Sequence, residues 1–329
     1  MKFKVNFLLL VLFLLSLRLT AIDYNSNVCA KLMGRLALTS QNYIDSETDV
    51  ARKISFEETK RIAKELLGLD IDELFKDNLT GLPNRHAFDN EAPRIFEMVK
   101  RGVSPGRTTD FIPRNSSISI IMSDLDNFKL INDVFGHDNG DLVLKMSAKI
   151  IQKVIRKTDF PVRFGGEEIF ILLPYTQKEE ASFLADRIRK SFIENKEINE
   201  LFEKLKKEKL EELEHEDIVK VAKTLETLLG RKISSTIQLR LRIEDTLQRA
   251  KEGVLGKEEL NRVKKEFIDE IQKRLPSFQT VSLGVSTKKI VSSDLGTPTL
   301  EKLLKTADIA LNKSKEDGRN KVTYLEFPF

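Results

Sequence analysis

The chain has 329 residues, enough for one large domain or two small ones, and its 55 basic and 51 acidic side chains nearly cancel. That balance gives no reason to expect a nucleic-acid-binding surface. The single cysteine, Cys29, excludes an internal disulfide framework and fits a reducing compartment, and three histidines without companion cysteines leave no zinc signature, so any metal must be held by oxygen.

Residues 1–21 place Lys2 and Lys4 before an apolar run from Phe7 to Leu15 and close on Thr20-Ala21. This is a signal-peptide pattern, although Leu19 stands where cleavage prefers a small residue. As a membrane span the segment is short, because the 13 residues between Lys4 and Arg18 make only ~20 Å of helix against ~30 Å of hydrocarbon. Arg18, Lys31 and Arg35 follow it, so positive charge does not choose an orientation. A buried apolar helix is the alternative reading. Residues 22–54 carry no motif. From Ser55 to Phe75 a helical pattern begins with a Ser55-x-x-Glu58 capping box and continues through Ile62, Leu66, Leu67, Ile71 and Leu74.

Gly81 and Pro83 in the segment Asp77 to Arg85 predict a turn that leads into a helix over Arg85–Lys100. Ile118–Met122 is a strand by its β-branched content, which places Asp124 at its carboxyl end, where open α/β sheets present their sites. Two more apolar runs, Phe160–Phe164 and Ile169–Leu173, flank Gly165-Gly166-Glu167-Glu168 and predict a hairpin turning on the glycines. Acids at such a turn stand uncovered, and a nucleotide could lie against the bare backbone of Gly165 and Gly166. If the strand ending at Asp124 neighbours this hairpin, Asp124 and Glu167 meet around a hard cation, and two carboxylates plus phosphate suit Mg²⁺.

Residues 191–276 carry 19 basic and 19 acidic side chains, with apolar residues at helical spacing such as Ile198, Leu201, Phe202 and Leu205. Two or three charged helices forming a hairpin or coiled-coil arm are expected there. A last helix, Thr299 to Asp317, stops at Gly318.

Asp77-x-Leu79-Thr80, Asp124-Leu125-Asp126-Asn127-Phe128-Lys129, Asn132-Asp133-x-x-Gly136-His137-x-x-Gly140-Asp141, Gly165-Gly166-Glu167-Glu168 and Lys315-x-x-Gly318-Arg319-Asn320 follow one another in this order. Together they resemble the GGDEF domain of diguanylate cyclases, from about Asp77 to Tyr324 with one long interruption. The resemblance implies an α/β (α+β) domain with a central, mostly antiparallel sheet flanked by helices, as in polymerase palm and nucleotide cyclase domains. The chain then divides into an apolar segment (1–21), a linker and stalk helix (22–76), and a GGDEF domain (77–329) interrupted by the charged insertion 191–276.

The implied reaction joins two GTP into cyclic di-GMP and releases two pyrophosphates. Since one domain holds one GTP, it also implies a homodimer. Two Mg²⁺ ions, or Mn²⁺ in their place, are expected on Asp124, Glu167 and the main-chain carbonyl of Leu125, with Glu168 in support. Asn132 and Asp141 correspond to the guanine readers, and Lys129, Lys315 and Arg319 to phosphate contacts. Arg156, Asp159 and Arg187 match the motif through which cyclic di-GMP inhibits. Blander readings stand beside these: a helix cap for Asn132, a solvated Lys129, a structural acid for Asp126, helix-dipole partners for Lys315 and Arg319, and an ion pair for Arg156 and Asp159. Ile169 replaces the motif's usual Phe, and Asn312 stands where Tyr is common. Because GTP is cytosolic, the domain is expected in the cytoplasm or on the cytoplasmic face of the inner membrane, with 1–21 associating uncleaved. The rival is an inactive receptor for GTP or cyclic di-GMP, against which the retained Asp124, Glu167, Glu168, Lys315 and Arg319 count.

Overall fold

A computed structural model describes residues 71–101 and 116–329, apart from 213–216, 218, 222, 225–233, 255–256, 275–278, 292, 295 and 329. The apolar segment 1–21 and the stalk helix before Ile71 lie outside the described residues. Of the stalk, Ile71–Phe75 forms a short 3-10 helix. No described helix is long and apolar enough to cross a membrane. The chain divides into two compact units, Met1–Lys76 and Asp77–Phe329. The second holds the sheet and the motifs from Asp77 to Asn320.

Five strands form its sheet: β1 (Ser117–Leu125), β2 (Phe160–Gly165), β3 (Glu168–Pro174), β4 (Val281–Lys289) and β5 (Val322–Glu326). Their order is β2-β3-β1-β4-β5. β1 runs antiparallel to β3 and β4, β2 antiparallel to β3, and β5 parallel to β4, so the sheet is mostly antiparallel as expected. β1 is central and buried along its whole length. Its side chains alternate between two apolar layers with the period of two that a pleated strand imposes. Ile118, Ile120 and Met122 face α1 (Arg85–Arg101) and α8 (Gly296–Glu316), against Phe88, Phe96, Leu303 and Ala307. Ile121 and Leu125 face the opposite layer, which contains α2 (Phe128–Phe135), α3 (His137–Val154) and α4 (Lys178–Ile193). The hydroxyls buried in β1 are satisfied: Ser119 donates to the Thr176 carbonyl at 2.9 Å and Ser123 to that of Ile169 at 2.7 Å.

β4 and α8 approach so closely at Gly284 that a Cβ there would lie 2.1 Å from the Ala307 carbonyl oxygen and 2.2 Å from the Leu311 amide. Both obstacles are backbone and cannot swing aside. Gly284→Ala is therefore expected to cost about 3 kcal/mol, the upper part of the range for overpacking, measured as a lowered midpoint in urea.

The insertion differs from the expected arm. It forms α5 (Lys196–Glu212), α6 (Ser234–Lys251) and α7 (Lys257–Arg274), with further helical residues around Lys220 to Thr224. α6 and α7 do face each other, joined by an Arg242–Glu266 ion pair at 3.0 Å. The apolar stripe, however, is not confined to the two limbs of a hairpin. Ile198, Phe202, Leu205, Val221 and Val263 are buried in the same core as α2, α3 and α4, and Phe202 meets Phe135 of α2 edge-on at 6.1 Å. Helical spacing shows that a stripe must be buried but not against what, and here the domain itself covers it.

Candidate active site

The carboxyl end of β1 and the hairpin between β2 and β3 form the centre of the site. The register pairs Asp124 with Glu168 and Gly165 with Glu168. The turn is thus Gly166-Glu167 rather than Gly165-Gly166, with an irregularity in β2 between Arg163 and Gly165. Gly166 takes φ +50°, the left-handed conformation that favours glycine. Asp124 and Glu168 consequently lie on the sheet face covered by α8, and Glu167 stands beside them at the tip. Burial pushes the Asp124 carboxyl up to about 6, and the charges of Glu167 and Glu168 reinforce this against the pull of Lys315. Burial likewise raises Glu168, opposed by Lys315 and helped by Glu167. Ile169, the departure from the motif, is buried in the core without disturbing the strand pairing.

Lys315, expected on phosphate, ends α8 with its ammonium 2.7 Å from Asp124 Oδ2. Arg319 follows in the left-handed turn after α8, at φ +63° between Gly318 at +106° and Asn320 at +47°. The Asn320 amide donates to Asp126 Oδ2 at 2.9 Å. Asp126 also accepts from Thr280 at 2.8 Å and Ser282 at 2.6 Å, which makes it a buried anchor joining β1, β4 and the Lys315–Asn320 turn. The structural reading of Asp126 holds.

Among the described residues no group of three or more Asp, Glu, His or Cys side chains is arranged as a ready metal cage. The donor chemistry nonetheless fits Mg²⁺. The Lys315 ammonium sits on the Asp124 carboxylate, burial raises Asp124 and Glu168, and Leu125 adjoins Asp124 at the end of β1.

Asn132, on α2, lies over Gly140 on α3, where a Cβ would come within 1.8 Å of the Asn132 Oδ1. Only glycine admits that approach, and it brings Asn132 beside the residue preceding Asp141, which is exposed. Lys129 is engaged within α2, 2.8 Å from Asp133 Oδ2. Arg156, Asp159 and Arg187 line an open cavity of about 450 Å³ together with Thr176, Glu179, Glu180, Phe183 and Leu184. Asp159 accepts from the Arg156 backbone amide at 2.8 Å, so the contact is a turn closure rather than the side-chain ion pair expected of the bland reading. Burial raises Asp159 against that bond and the charges of Arg156 and Arg187. Arg187 donates to the Val154 carbonyl at 2.6 Å.

One pair was not singled out by the sequence. Arg163 grips both oxygens of Asp77, at 2.9 and 3.0 Å, and the Gly166 carbonyl at 2.9 Å. Burial would raise Asp77, but bonds from Thr80 and Arg163 hold it below the usual range. This fork ties the first residues of the domain to the hairpin. The available signal was a lone arginine interrupting an apolar strand just before the Gly-Gly pair.

A mostly antiparallel five-stranded sheet flanked by helices defines an α/β domain with acids gathered at one end of its central strand. Residues 74–207, less than half of the chain, match the family described as "Diguanylate cyclase, GGDEF domain". A diguanylate cyclase of Vibrio cholerae serotype O1 is 43% identical over 119 residues, 36% of this chain and 33% of that protein. The cyclic di-GMP phosphodiesterase NbdA of Pseudomonas aeruginosa is 36% identical over 118 residues, 36% of this chain and 14% of that protein. This chain therefore spans a third or less of the length of these two relatives. Among solved structures, the coiled coil and GGDEF domain of DgcB from Caulobacter crescentus aligns with TM-score 0.46 at 21% identity, over 84% of this chain and 98% of that one.

Proposed function

We propose that this chain is a diguanylate cyclase, condensing two GTP into cyclic di-GMP with loss of two pyrophosphates. The observation that carries the proposal is the convergence of Asp124, Glu167 and Glu168 at the sheet's end, with Asp124 raised to about 6 and paired with the Lys315 ammonium. Asp124, Glu167 and the Leu125 carbonyl would hold Mg²⁺ there, and the ion would supply charge neutralisation for the triphosphate. Gly165 and Gly166 leave the backbone bare where the nucleotide lies. Asp141 accepts from guanine N1–H and N2–H₂, and Asn132 bonds the purine edge. The 3′-oxygen of each GTP attacks the α-phosphorus of the other as that phosphorus parts from the oxygen bridging to the β-phosphate. Glu168, its carboxyl raised by burial, takes the 3′ proton. With a nucleotide in place, Lys315 transfers from Asp124 to the phosphates, beside Arg319. The two active sites belong to two copies facing each other, and the work falls on the cytoplasmic side, where GTP is found.

Incubating the purified protein with GTP and Mg²⁺ is expected to yield one cyclic di-GMP and two pyrophosphates for every two GTP consumed. GTP bound without any product would instead favour the receptor reading. Cyclic di-GMP is proposed to act back through the Arg156–Asp159–Arg187 cavity. Because coupling between two sites is commonly worth ~1–3 kcal/mol, Arg156→Ala should raise the inhibitory concentration roughly tenfold and leave initial rates unaltered. An unchanged inhibition constant would remove that role.

A further inference from the structure

The insertion reaches the substrate side of the domain through one polar cluster. Asp133 lies on α2 directly after Asn132, and only 6% of its side chain is exposed. Three groups close around it. Lys129, one turn earlier, approaches Oδ2 at 2.8 Å; Lys220 of the insertion lies 3.0 Å from Oδ1; and the Thr224 hydroxyl of the insertion donates to Oδ2 at 2.5 Å. Lys129 also comes within 3.4 Å of the Thr224 hydroxyl, and Thr224 is itself 4% exposed. Burial would raise Asp133, but these partners outweigh it and hold the carboxyl below its usual range. Beneath the cluster, Phe202 packs on Phe135, fixing the far end of the same helix. α2 is only eight residues long. A helix that short is marginal alone and takes its position from what packs on it.

We propose that the insertion is a brace that sets the position of α2, with Lys220 and Thr224 as positioning residues for Asn132 and Lys129. A charged hydrogen-bonded cluster fixes rotation about the helix axis in a way that apolar packing does not, because its partners are directional. Rotation of α2 moves the Asn132 amide off Gly140 and away from the base edge. Substrate affinity in this chain therefore depends on residues about ninety positions distant in sequence. The inference rests on the reading of Asn132 as a base contact, and the experiment separates the two.

Lys220→Met combined with Thr224→Val removes both outer partners while keeping side-chain bulk, and Lys220→Arg with Thr224→Ser restores them. The brace predicts faster amide hydrogen exchange across 128–135 in the first variant, with exchange in β1 and β3 unaltered, and near-wild-type protection in the second. It also predicts that KM and Kd for GTP rise about fivefold or more in the first variant, as loss of hydrogen bonds to a charged group allows, with kcat held within about twofold and recovery in the second. Unchanged exchange in 128–135 would overturn the brace. Faster exchange with unchanged GTP affinity would overturn the positioning role. A kcat that falls as far as KM rises, or no recovery in the conservative variant, would reduce the cluster to general stability. A wild type that binds no GTP would overturn the proposed function and the positioning role with it, while the exchange arm would still report whether the insertion holds α2.

Discussion

Asp124→Asn is expected to lower turnover by on the order of a thousandfold while raising the thermal stability of the metal-free protein. The loss of activity comes from electrostatics, since removing one preorganised group that stabilises developing charge typically costs about 10²–10³ in rate, and Asp124 is the buried acid of the cluster. The gain in stability comes from the same burial. The Asp124 carboxyl titrates near 6 in the folded protein against 3.8 ordinarily. Between those values the folded state binds the proton that the unfolded state has released. The favourable contribution of the neutral group is therefore complete below 3.8 and lost as the pH rises through 6. A shift of this size corresponds to about 3 kcal/mol as an upper bound. Asparagine mimics the neutral acid and keeps that contribution at every pH. Melting curves in chelator should therefore show the variant above the wild type at pH 8 and level with it near pH 4. A variant less stable than wild type at pH 8, or one that retains cyclase activity at saturating Mg²⁺, would contradict the assignment.

Much of this arrangement was legible in the sequence, because the strands announce themselves locally. Ile118–Met122, Phe160–Phe164 and Ile169–Leu173 each extend by only a few residues in the structure, and Arg85–Lys100 by one. Pairing of β1 with the acidic hairpin, one arrangement the sequence allows, is observed. The parity of that pairing was not legible. Whether Glu167 or Glu168 lies opposite Asp124 depends on which two residues make the turn, and a single-residue slip exchanges the faces. The partner of Lys315 was also hidden, since a lysine at a helix end reads the same whether it meets phosphate or an acid three strands away in sequence order. Asp126 could be sorted only once Thr280, Ser282 and Asn320 were seen around it. The surface that receives the insertion was the least legible feature. Its stripe of Ile198, Phe202 and Leu205 has a helical period, and the matching surface on α2 and α3 shows up only as apolar residues that the domain's own core would already explain.

That surface makes the insertion part of the fold. Replacing residues 196–272 with a short Gly/Ser linker is expected to leave a chain that does not fold cooperatively. The deletion removes Ile198, Phe202, Leu205, Val221 and Val263, all buried in the main core, and uncovers the ring of Phe135. Each such side chain is worth about 1.5–3 kcal/mol when fully buried. Five of them come to roughly 7–15 kcal/mol, an upper estimate because the unfolded chain already buries some of that surface, and the size of a whole domain's stability. The single substitution Phe202→Ala isolates the point without changing chain length, and truncating a buried phenylalanine costs about 3–5 kcal/mol through lost burial and the cavity left behind. Glu203→Ala, one residue along on the exposed side of α5, is the control and should stay within about 0.5 kcal/mol of wild type. Urea unfolding followed by circular dichroism reads both variants, and loss of near-ultraviolet signal with retained helical signal would mark the deletion chain as collapsed but unpacked. If the deletion chain unfolds with the wild-type midpoint and slope, or if Phe202→Ala behaves like Glu203→Ala, the helices are an appendage and the core ends at α4.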